Sequence, residues 1–214
     1  MTNLALDAEP PPNDVAEQTA VRKRPKPGER RVQILQALAT MLEKPGAERI
    51  TTSSLAAKLD VSEAALYRHF ASKAQMFEGL IEFIEQSVFT LVNQITEREV
   101  DPAARARRLV VMVLQFAEKN PGMTRVMVGD ALVFENDRLQ ERMNQFFDKF
   151  EASLKQVLRD AATASGAATP TVDAQVTASV AVAFMVGRLQ RFARSGFRRL
   201  PSEHLEASLA TILG

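Results

Sequence analysis

Apolar residues recur every three or four positions along most of the chain, and this spacing places them on one face of an α-helix. The first such stretch begins at Glu29 and ends at Pro45-Gly46, and its apolar positions are Val32, Ile34, Leu35, Leu38, Ala39 and Leu42. The alternation of apolar and polar residues that is typical of a β-strand does not occur, and no segment is repeated. The pattern therefore predicts an all-α protein.

Two short helices are predicted after the first one. Thr51 or Thr52 caps the earlier of them, because a threonine hydroxyl accepts a hydrogen bond from a free N–H at a helix start. Ser62 caps the later one, which is expected to run to Phe70. Three helices with a tight turn between the second and the third are the layout of a helix-turn-helix.

The rest of the chain predicts longer helices. The expected segments are a long fourth helix capped by Ser72, a fifth from Asp101-Pro102 to Asn120-Pro121-Gly122, a short helix around Met123 to Val128, and helices from Ala131 to Ala161, Val172 to Arg194 and Ser202 to Leu213. The helix from Val172 to Arg194 is apolar nearly all round in its middle. Such a helix lies in a protein core or against a partner.

Residues 1–27 contain five prolines and few large apolar side chains, so the sequence predicts a disordered tail. Its end, from Arg22 to Lys26, is a basic arm that could lie along DNA phosphates or in a minor groove. A tail that only improves solubility is the alternative.

Composition argues against several classes of protein. The chain has no cysteine, which excludes disulfides and cysteine nucleophiles, and its only histidines are His69 and His204. It has no glycine-rich phosphate loop and no clustered metal ligands, so we expect neither an enzyme, nor a cofactor, nor a bound metal. Charged residues interrupt the apolar runs every few positions, and we expect a cytoplasmic protein that does not enter a membrane.

The net charge of +1 conceals an uneven distribution. Residues 1–21 have four acids and no lysine or arginine, whereas residues 22–73 have eleven bases and five acids. The remaining 141 residues are nearly balanced, with sixteen bases and seventeen acids. A basic segment over the predicted helix-turn-helix is the footprint expected where phosphates must be neutralised, although a solvated charged face would give the same count.

The segment from Thr51 to Lys73 resembles the helix-turn-helix of the TetR family nearly position for position. A wedge between its two helices is expected from Leu55, Ala56, Leu59, Val61, Leu66 and Phe70. The side chains expected to face base edges in the major groove are Ser62, Glu63, Ala64, Ala65 and Arg68. One position departs from the family, since Asp60 stands where glycine is usual; aspartate tolerates the left-handed conformation of such a turn.

The same resemblance implies a second group of residues that contact phosphates. They are Thr51 or Thr52, Tyr67, His69 and Lys73. Hydroxyl, imidazole and ammonium groups near helix N-termini suit a phosphate chemically. A packing role is the alternative for Tyr67 and His69.

The resemblance extends to the nucleoid occlusion factors within the TetR family, through Leu80 to Glu85, Lys119 to Gly122, Phe134 to Gln140 and Arg191 to Ser195. It implies a homodimer that binds palindromic chromosomal sites and, when bound to DNA, inhibits assembly of FtsZ, the tubulin-like division GTPase. The protein would then be associated with the nucleoid.

The resemblance also implies a site for the FtsZ C-terminal tail, between the fourth and fifth helices near Phe83, Lys119 and Asn120. Phe83 falls off the main apolar stripe of its helix, so it is either accessible to a partner or partly buried in the core. Leu91 occupies a position where the resemblance leads us to expect a basic residue, which removes an electrostatic contact with the tail.

We therefore expect a TetR-like protein of three parts: a tail at 1–27, a DNA-binding domain at 28–73 and a helical dimerisation and partner-binding domain at 74–214. Dimerisation is expected through the helices from Ala131 to Ala161 and from Val172 to Arg194. The alternative function is that of a ligand-responsive TetR-type repressor, whose helical body would enclose a small molecule.

Overall fold

The computed structural model of the protein describes residues 28–44 and 50–214. In these two ranges the α-helices are α1 Glu29–Leu42, α2 Thr52–Leu59, α3 Glu63–Tyr67, α4 Lys73–Arg98, α5 Pro102–Lys119, α6 Pro121–Met127, α7 Asp137–Ala164, α8 Pro170–Arg194 and α9 Leu205–Leu213. The predicted all-α class is confirmed. The predicted tail, the basic arm and the helix stop at Pro45-Gly46 lie outside the described residues.

Helices α1, α2 and α3 pack together in a small unit that we call the head. Its interior is formed by large apolar side chains that the sequence predicted as a wedge: Leu55 is 1% exposed, Leu66 0% and Phe70 1%. Leu59 and Val61 lie half-buried at the edge. The hydrophobic effect therefore fixes the angle between α2 and α3 without any contribution from DNA.

The two short helices of the head begin at capped positions. Thr51, rather than Thr52, is the N-cap of α2, and its hydroxyl accepts a hydrogen bond from the Ser54 N–H at 3.1 Å. The Ser62 hydroxyl accepts from the Ala65 N–H at 3.3 Å at the start of α3. Each cap stabilises its helix by about 1 kcal/mol. Between them Asp60 has φ 54° and ψ 51°, so the left-handed turn expected at this residue is confirmed.

We call helices α4 to α9 the body. Helix α7 runs alongside α4, because Lys73 at the start of α4 pairs with Glu135 just before α7, and Glu85 pairs with Arg142 farther along both helices. Helix α8 returns antiparallel to α7, since Gln175 near its start bonds to Lys155 and Glu151 late in α7. The C-terminal end of α8 is therefore at the end of the body that carries the head.

The core of the body lies between these long helices. Met143, Phe146 and Phe150 of α7 are completely buried, and the Phe146 ring meets the edge of Phe89 of α4 at 5.6 Å between ring centres. Val113 and Leu114 of α5 are completely buried as well. Burial of large apolar side chains from three helices makes this the main source of stability in the protein.

A second contact besides α4 joins the head to the body. Helix α6 packs on α1 so closely that a Cβ atom at Gly122 would lie 1.9 Å from the carbonyl oxygen of Ala39. Only glycine permits this approach. Asn120 ends α5 and also precedes the first residue of α6, which lets the chain turn sharply onto α1.

Several predicted boundaries were wrong. Helix α3 ends at Tyr67 rather than Phe70, and α6 begins directly at Pro121. The predicted start of the long helix at Ala131 is wrong, because Gly129 in the left-handed conformation leads into a 3₁₀ turn, Asp130–Leu132, and α7 starts only at Asp137 with Asn136 as its cap. The last helix starts at Leu205.

Two residues on the predicted apolar stripe of α1 are not fully buried, and neither is Leu91 of α4. Val32 is 51% exposed and Leu91 is 36% exposed, while Leu35 is only partly buried. A helical repeat of three or four residues marks a face, but the width of that face which is covered depends on the neighbouring helices.

Helix α8 is long and apolar enough to cross a membrane if length and composition alone are considered. It is the only such helix among the described residues. Eight of its side chains, including Met185 and Leu189, are buried within the protein, and a core helix passes the same test. The expectation that no segment enters a membrane stays a prediction.

Candidate nucleic-acid interface

Helix α3 presents its polar side to solvent. Leu66 is buried and holds the inner side of the helix in the core of the head. The exposed residues are Ser62, Glu63, Ala64 and Arg68, and Ala65 is half-buried. These are the five residues that the sequence placed on the base-reading face. A short helix with an exposed face of small and polar side chains, held from behind by a buried leucine, has the shape needed to enter a major groove.

The side chains of Thr52 and Glu63 tie α2 to α3. The Thr52 hydroxyl donates a hydrogen bond to the Glu63 carboxylate at 2.6 Å, and the Tyr67 hydroxyl lies 3.5 Å from the same Thr52 oxygen. Glu63 thus has a structural bond as well as an exposed surface. The Tyr67 side chain remains 45% exposed and is accessible to a phosphate.

Thr51 has less freedom than the sequence suggested. Its hydroxyl caps α2 and lies 3.0 Å from the Ser53 hydroxyl. The N-terminus of α2 nevertheless offers free N–H groups next to this cap, and such groups suit an anion.

His69 is exposed, and its backbone is held by a residue that sequence reasoning missed. The Arg31 guanidinium of α1 donates to the His69 carbonyl at 3.0 Å and lies 4.1 Å from the centre of the Phe70 ring. Arg31 therefore joins α1 to residues 69 and 70, which follow α3. Nothing in the sequence distinguished it from its basic neighbour Arg30, because the signal is a tertiary contact with Phe70.

Lys73 lies at the first position of α4, with its side chain 31% exposed. Its ammonium pairs with Glu135 at 2.5 Å and sits 5.7 Å from the centre of the Phe77 ring. The sequence placed Lys73 on a phosphate, and the structure gives it an internal carboxylate partner. Glu135 was not singled out from the sequence.

The predicted partner site involves residues of α4 and of the C-terminal end of α5. Phe83 is 47% exposed, which favours the accessible alternative over the buried one, and Lys119 is exposed at the end of α5. Asn120 is half-buried, and its amide donates to the Phe116 carbonyl at 2.7 Å. That bond fixes the junction of α5 and α6, so Asn120 has a structural role that the sequence did not reveal.

Paired charges connect α4 to α7 on either side of Phe83. The Arg142 guanidinium binds both carboxylate oxygens of Glu85, at 3.1 and 2.6 Å, and Arg138 pairs with Glu78. The hydrogen bonds that Arg142 donates to Glu85 raise the pKa of Arg142 above its usual value, against the opposing effect of burial. A group whose pKa is raised by folding contributes its full stabilisation at every pH below the pKa that it has in the unfolded state. Because an arginine in the unfolded state has a pKa far above neutrality, the stabilisation by Arg142 is constant around neutral pH.

Among the described residues, no three histidine, cysteine, aspartate or glutamate side chains are grouped so that they could hold a metal ion. The exposed groups of α3 and of the α4 N-terminus are suited to contacts with bases and phosphates. The geometry in the head is thus that of a binding surface.

Two protein families match the chain. Residues 34–80 match the bacterial regulatory proteins of the tetR family, and residues 101–213 match the Tetracyclin repressor-like C-terminal domain of the SlmA-like type. The first match covers most of α1, all of α2 and α3 and the start of α4, and the second covers most of the body.

Among solved structures, the fold is similar to the fatty acid degradation regulator FadR from Bacillus halodurans, with a TM-score of 0.72, 14% identity and coverage of 89% of this chain and 97% of that one. It is also similar to the TetR family regulator PfmR from Thermus thermophilus, with a TM-score of 0.65, 21% identity and coverage of 85% and 94%. At these identities the likeness establishes the fold alone.

Curated relatives are much more similar in sequence. The nucleoid occlusion factor SlmA of Photobacterium profundum is 52% identical over 178 residues, covering 83% of this chain and 90% of the relative. SlmA of Vibrio cholerae is 51% identical over the same length and with the same coverage. With this identity over most of its length, and with a TetR-type helix-turn-helix in its head, the chain belongs to the SlmA family of nucleoid occlusion factors within the TetR family.

Proposed function

We propose that the protein is a homodimeric nucleoid occlusion factor that binds palindromic DNA sites and, when bound to DNA, inhibits FtsZ assembly. The family supports nucleoid occlusion as the process. The observation that carries the DNA-binding part is the exposed polar face of α3, which is held by the buried Leu66 and by caps at Thr51 and Ser62. The proposed activity requires the protein to be at the nucleoid in the cytoplasm.

The proposed DNA contacts fall into two classes. Ser62, Glu63, Ala64, Ala65 and Arg68 read base edges, and of these Arg68 has the longest reach and can bind a guanine with two hydrogen bonds. Thr51, Thr52, Tyr67, His69 and Lys73 contact phosphates, which fixes the register of the protein on DNA. We assign residues 28–73 to this domain and residues 74–214 to the dimerisation and partner-binding domain.

An unpartnered apolar face on α8 supports dimerisation through α7 and α8. Val172 is 62% exposed, Val176 58% and Val180 50%, and their spacing of four places them in one row. Large apolar side chains in a continuous exposed row are characteristic of an interface. In a two-fold dimer about this face, two recognition helices can enter successive major grooves about 34 Å apart, which requires a near-palindromic site.

The exposed ring of Phe83 supports a site for the FtsZ tail on α4 and α5. These helices are joined by a short loop and pack on each other, and Phe83 and Lys119 lie at similar chain distances from that loop. Antiparallel neighbours joined in this way bring such residues to the same level. An accessible aromatic ring at the level of a lysine on the neighbouring helix fits a peptide with apolar and acidic side chains.

The two sites share α4, which begins at Lys73 and contains Phe83. The pairs of Glu78 with Arg138 and of Glu85 with Arg142 hold α4 to α7 on either side of Phe83. A shift of the α4 N-terminus on DNA binding would therefore reach the partner site through a stiff element. This coupling is inferred from the position of both sites on α4.

Sedimentation of FtsZ polymers with the protein, in the presence and absence of its specific duplex, tests the proposal. We expect less polymer in the pellet with protein and duplex together than with protein alone. Equal inhibition with and without the duplex would remove the coupling. No inhibition in either case would instead favour a ligand-responsive repressor, although the body interior is filled at Met143, Phe146 and Phe150.

A further inference from the structure

A stretch of unbalanced positive charge lies at the end of α8. The segment 188–199, which we call the arginine turn, contains Arg188, Arg191, Arg194, Arg198 and Arg199, and no acidic residue occurs between Asp173 and Glu203. Four arginines elsewhere in the body pair with glutamates, as Arg108 does with Glu99. None of the five arginines of the turn forms an ion pair with another described residue.

Three of these arginines are free to bind a ligand. Arg188 donates to the Ser208 hydroxyl at 3.1 Å, and Arg198 donates through Nε to the Ser195 carbonyl at 2.9 Å. The side chains of Arg191, Arg194 and Arg199 are exposed and make no hydrogen bond to another described residue. Their charge faces solvent.

The backbone of the turn is fixed in an uncommon conformation. Gly196 and Phe197 both have φ 64°, and for phenylalanine the left-handed region is unfavourable because of its Cβ atom. The Phe197 ring meets the edge of Phe192 at 5.1 Å, and the Arg125 guanidinium of α6 lies 5.2 Å from its centre. Strain held in place by such contacts is typical of functional segments.

The turn also orients the arginines that follow it. The Ser195 hydroxyl accepts hydrogen bonds from the N–H groups of Arg198 and Arg199, at 3.1 and 2.9 Å. Arg198 and Arg199 therefore begin from a defined backbone position. An arginine on an ordered backbone loses less freedom on binding than one in a mobile loop.

The arginine turn lies at the end of the body that carries the head. Val186 and Gln190 of α8 line the same surface hollow as Met127, the last residue of α6, and Val128 just after it, and α6 packs on α1. The row of Val172, Val176 and Val180 lies on the same helix, nearer its N-terminal end. In the proposed dimer the two turns would thus lie near the two-fold axis, between the two heads.

We infer that the arginine turn is a second DNA-binding surface, which contacts the sugar-phosphate backbone of the duplex between the two half-sites. A duplex that spans both heads passes beneath the two-fold axis, where the turns meet it. A guanidinium can bind a phosphate with two parallel hydrogen bonds, and such contacts add affinity without reading bases. The inference rests on the proposed function, because it needs a dimer with DNA across both heads.

The test is the Arg194→Ala/Arg199→Ala variant, measured on a duplex that the full-length protein selects from a random pool. Affinity should fall about tenfold or more at low salt, and the slope of log K against log salt should fall by about one for each phosphate that is no longer bound. Ethylation interference at the central phosphates should occur with the unmodified protein and disappear with the variant.

The matched control is Arg98→Ala/Arg159→Ala, which removes the same charge at the opposite end of the body. It should leave affinity, slope and interference nearly unchanged. Equal effects of the two variants, or unchanged interference at the centre of the site, would overturn the inference. Failure of Arg68→Ala to weaken binding would refute the proposed recognition helix instead, so the two failures are distinguishable.

Discussion

Head and body use their polar groups in different ways. In the head, hydroxyls cap the short helices, and the polar side chains of α3 stay exposed although Glu63 also binds the Thr52 hydroxyl. In the body, charged side chains pair across helices, as Glu85 does with Arg142. The difference shows that the body is complete as a folded unit along α4 and α7, whereas α3 keeps unused capacity for an external ligand.

The largest effect is expected where the two regions meet. Gly122→Ala should destabilise the protein by about 3 kcal/mol, because its Cβ would lie 1.9 Å from the Ala39 carbonyl oxygen and the backbone must separate. Thermal unfolding measures the loss. Thr40→Ala, on the exposed side of α1, serves as control and should cost much less. An unchanged melting temperature in Gly122→Ala would mean that α6 does not hold the head.

The second largest effect is expected for DNA binding by the exposed residues at the end of α3. Arg68→Ala should weaken specific DNA binding by about 1 to 3 kcal/mol, and His69→Ala should reduce the salt slope by about one. Fluorescence anisotropy titrations at several salt concentrations measure both, with Arg159→Ala as a control in the body. Unchanged affinity and slope in both variants would contradict the assignment of α3.

A smaller effect is expected for Phe83, the exposed aromatic side chain on α4. Phe83→Ala should leave DNA affinity unchanged and reduce inhibition of FtsZ assembly by about tenfold, the effect of losing an aromatic anchor worth about 1 to 2 kcal/mol. Because the ring is 47% exposed, the free energy of unfolding should change little. Val100→Ala, which alters an 86% exposed side chain in the α4–α5 loop, is the control. Loss of DNA binding in Phe83→Ala would refute separate sites.

The smallest effect concerns Lys73, a phosphate-binding candidate whose ammonium already forms an ion pair with Glu135. Glu135→Gln should tighten DNA binding by about 0.5 to 1 kcal/mol, because Lys73 then need not exchange a carboxylate for a phosphate. The same substitution in a Lys73→Met background should have no effect. A gain that persists in that background would show that Glu135 acts through general repulsion of DNA.

Sequence patterns predicted the features that depend on local chemistry. The caps at Ser62 and Ser72 and the left-handed Asp60 follow from the hydrogen bonds and backbone conformations that these residue types favour. The boundaries near Tyr67 and Asp137 did not follow, because they depend on Phe70 turning into the core and on the 3₁₀ turn after Gly129.

Tertiary contacts account for what the sequence could not indicate in the candidate site. The bond from Thr52 to Glu63, the support of His69 by Arg31 and the pairing of Lys73 with Glu135 each join residues from different helices or their flanking turns. The resemblance to the TetR family, together with residue type, indicated which groups suit DNA. They did not indicate which of those groups the protein already uses to hold itself together.

The close approach of α6 to α1 gives the head two attachments to the body, the other being the 26-residue α4. A head held at one point could swivel, whereas a head held at two points moves only with the body. In a dimer built from such protomers the distance between the two heads would be nearly fixed. Changes in half-site spacing would then have to be absorbed by bending or twisting of the DNA rather than by the protein.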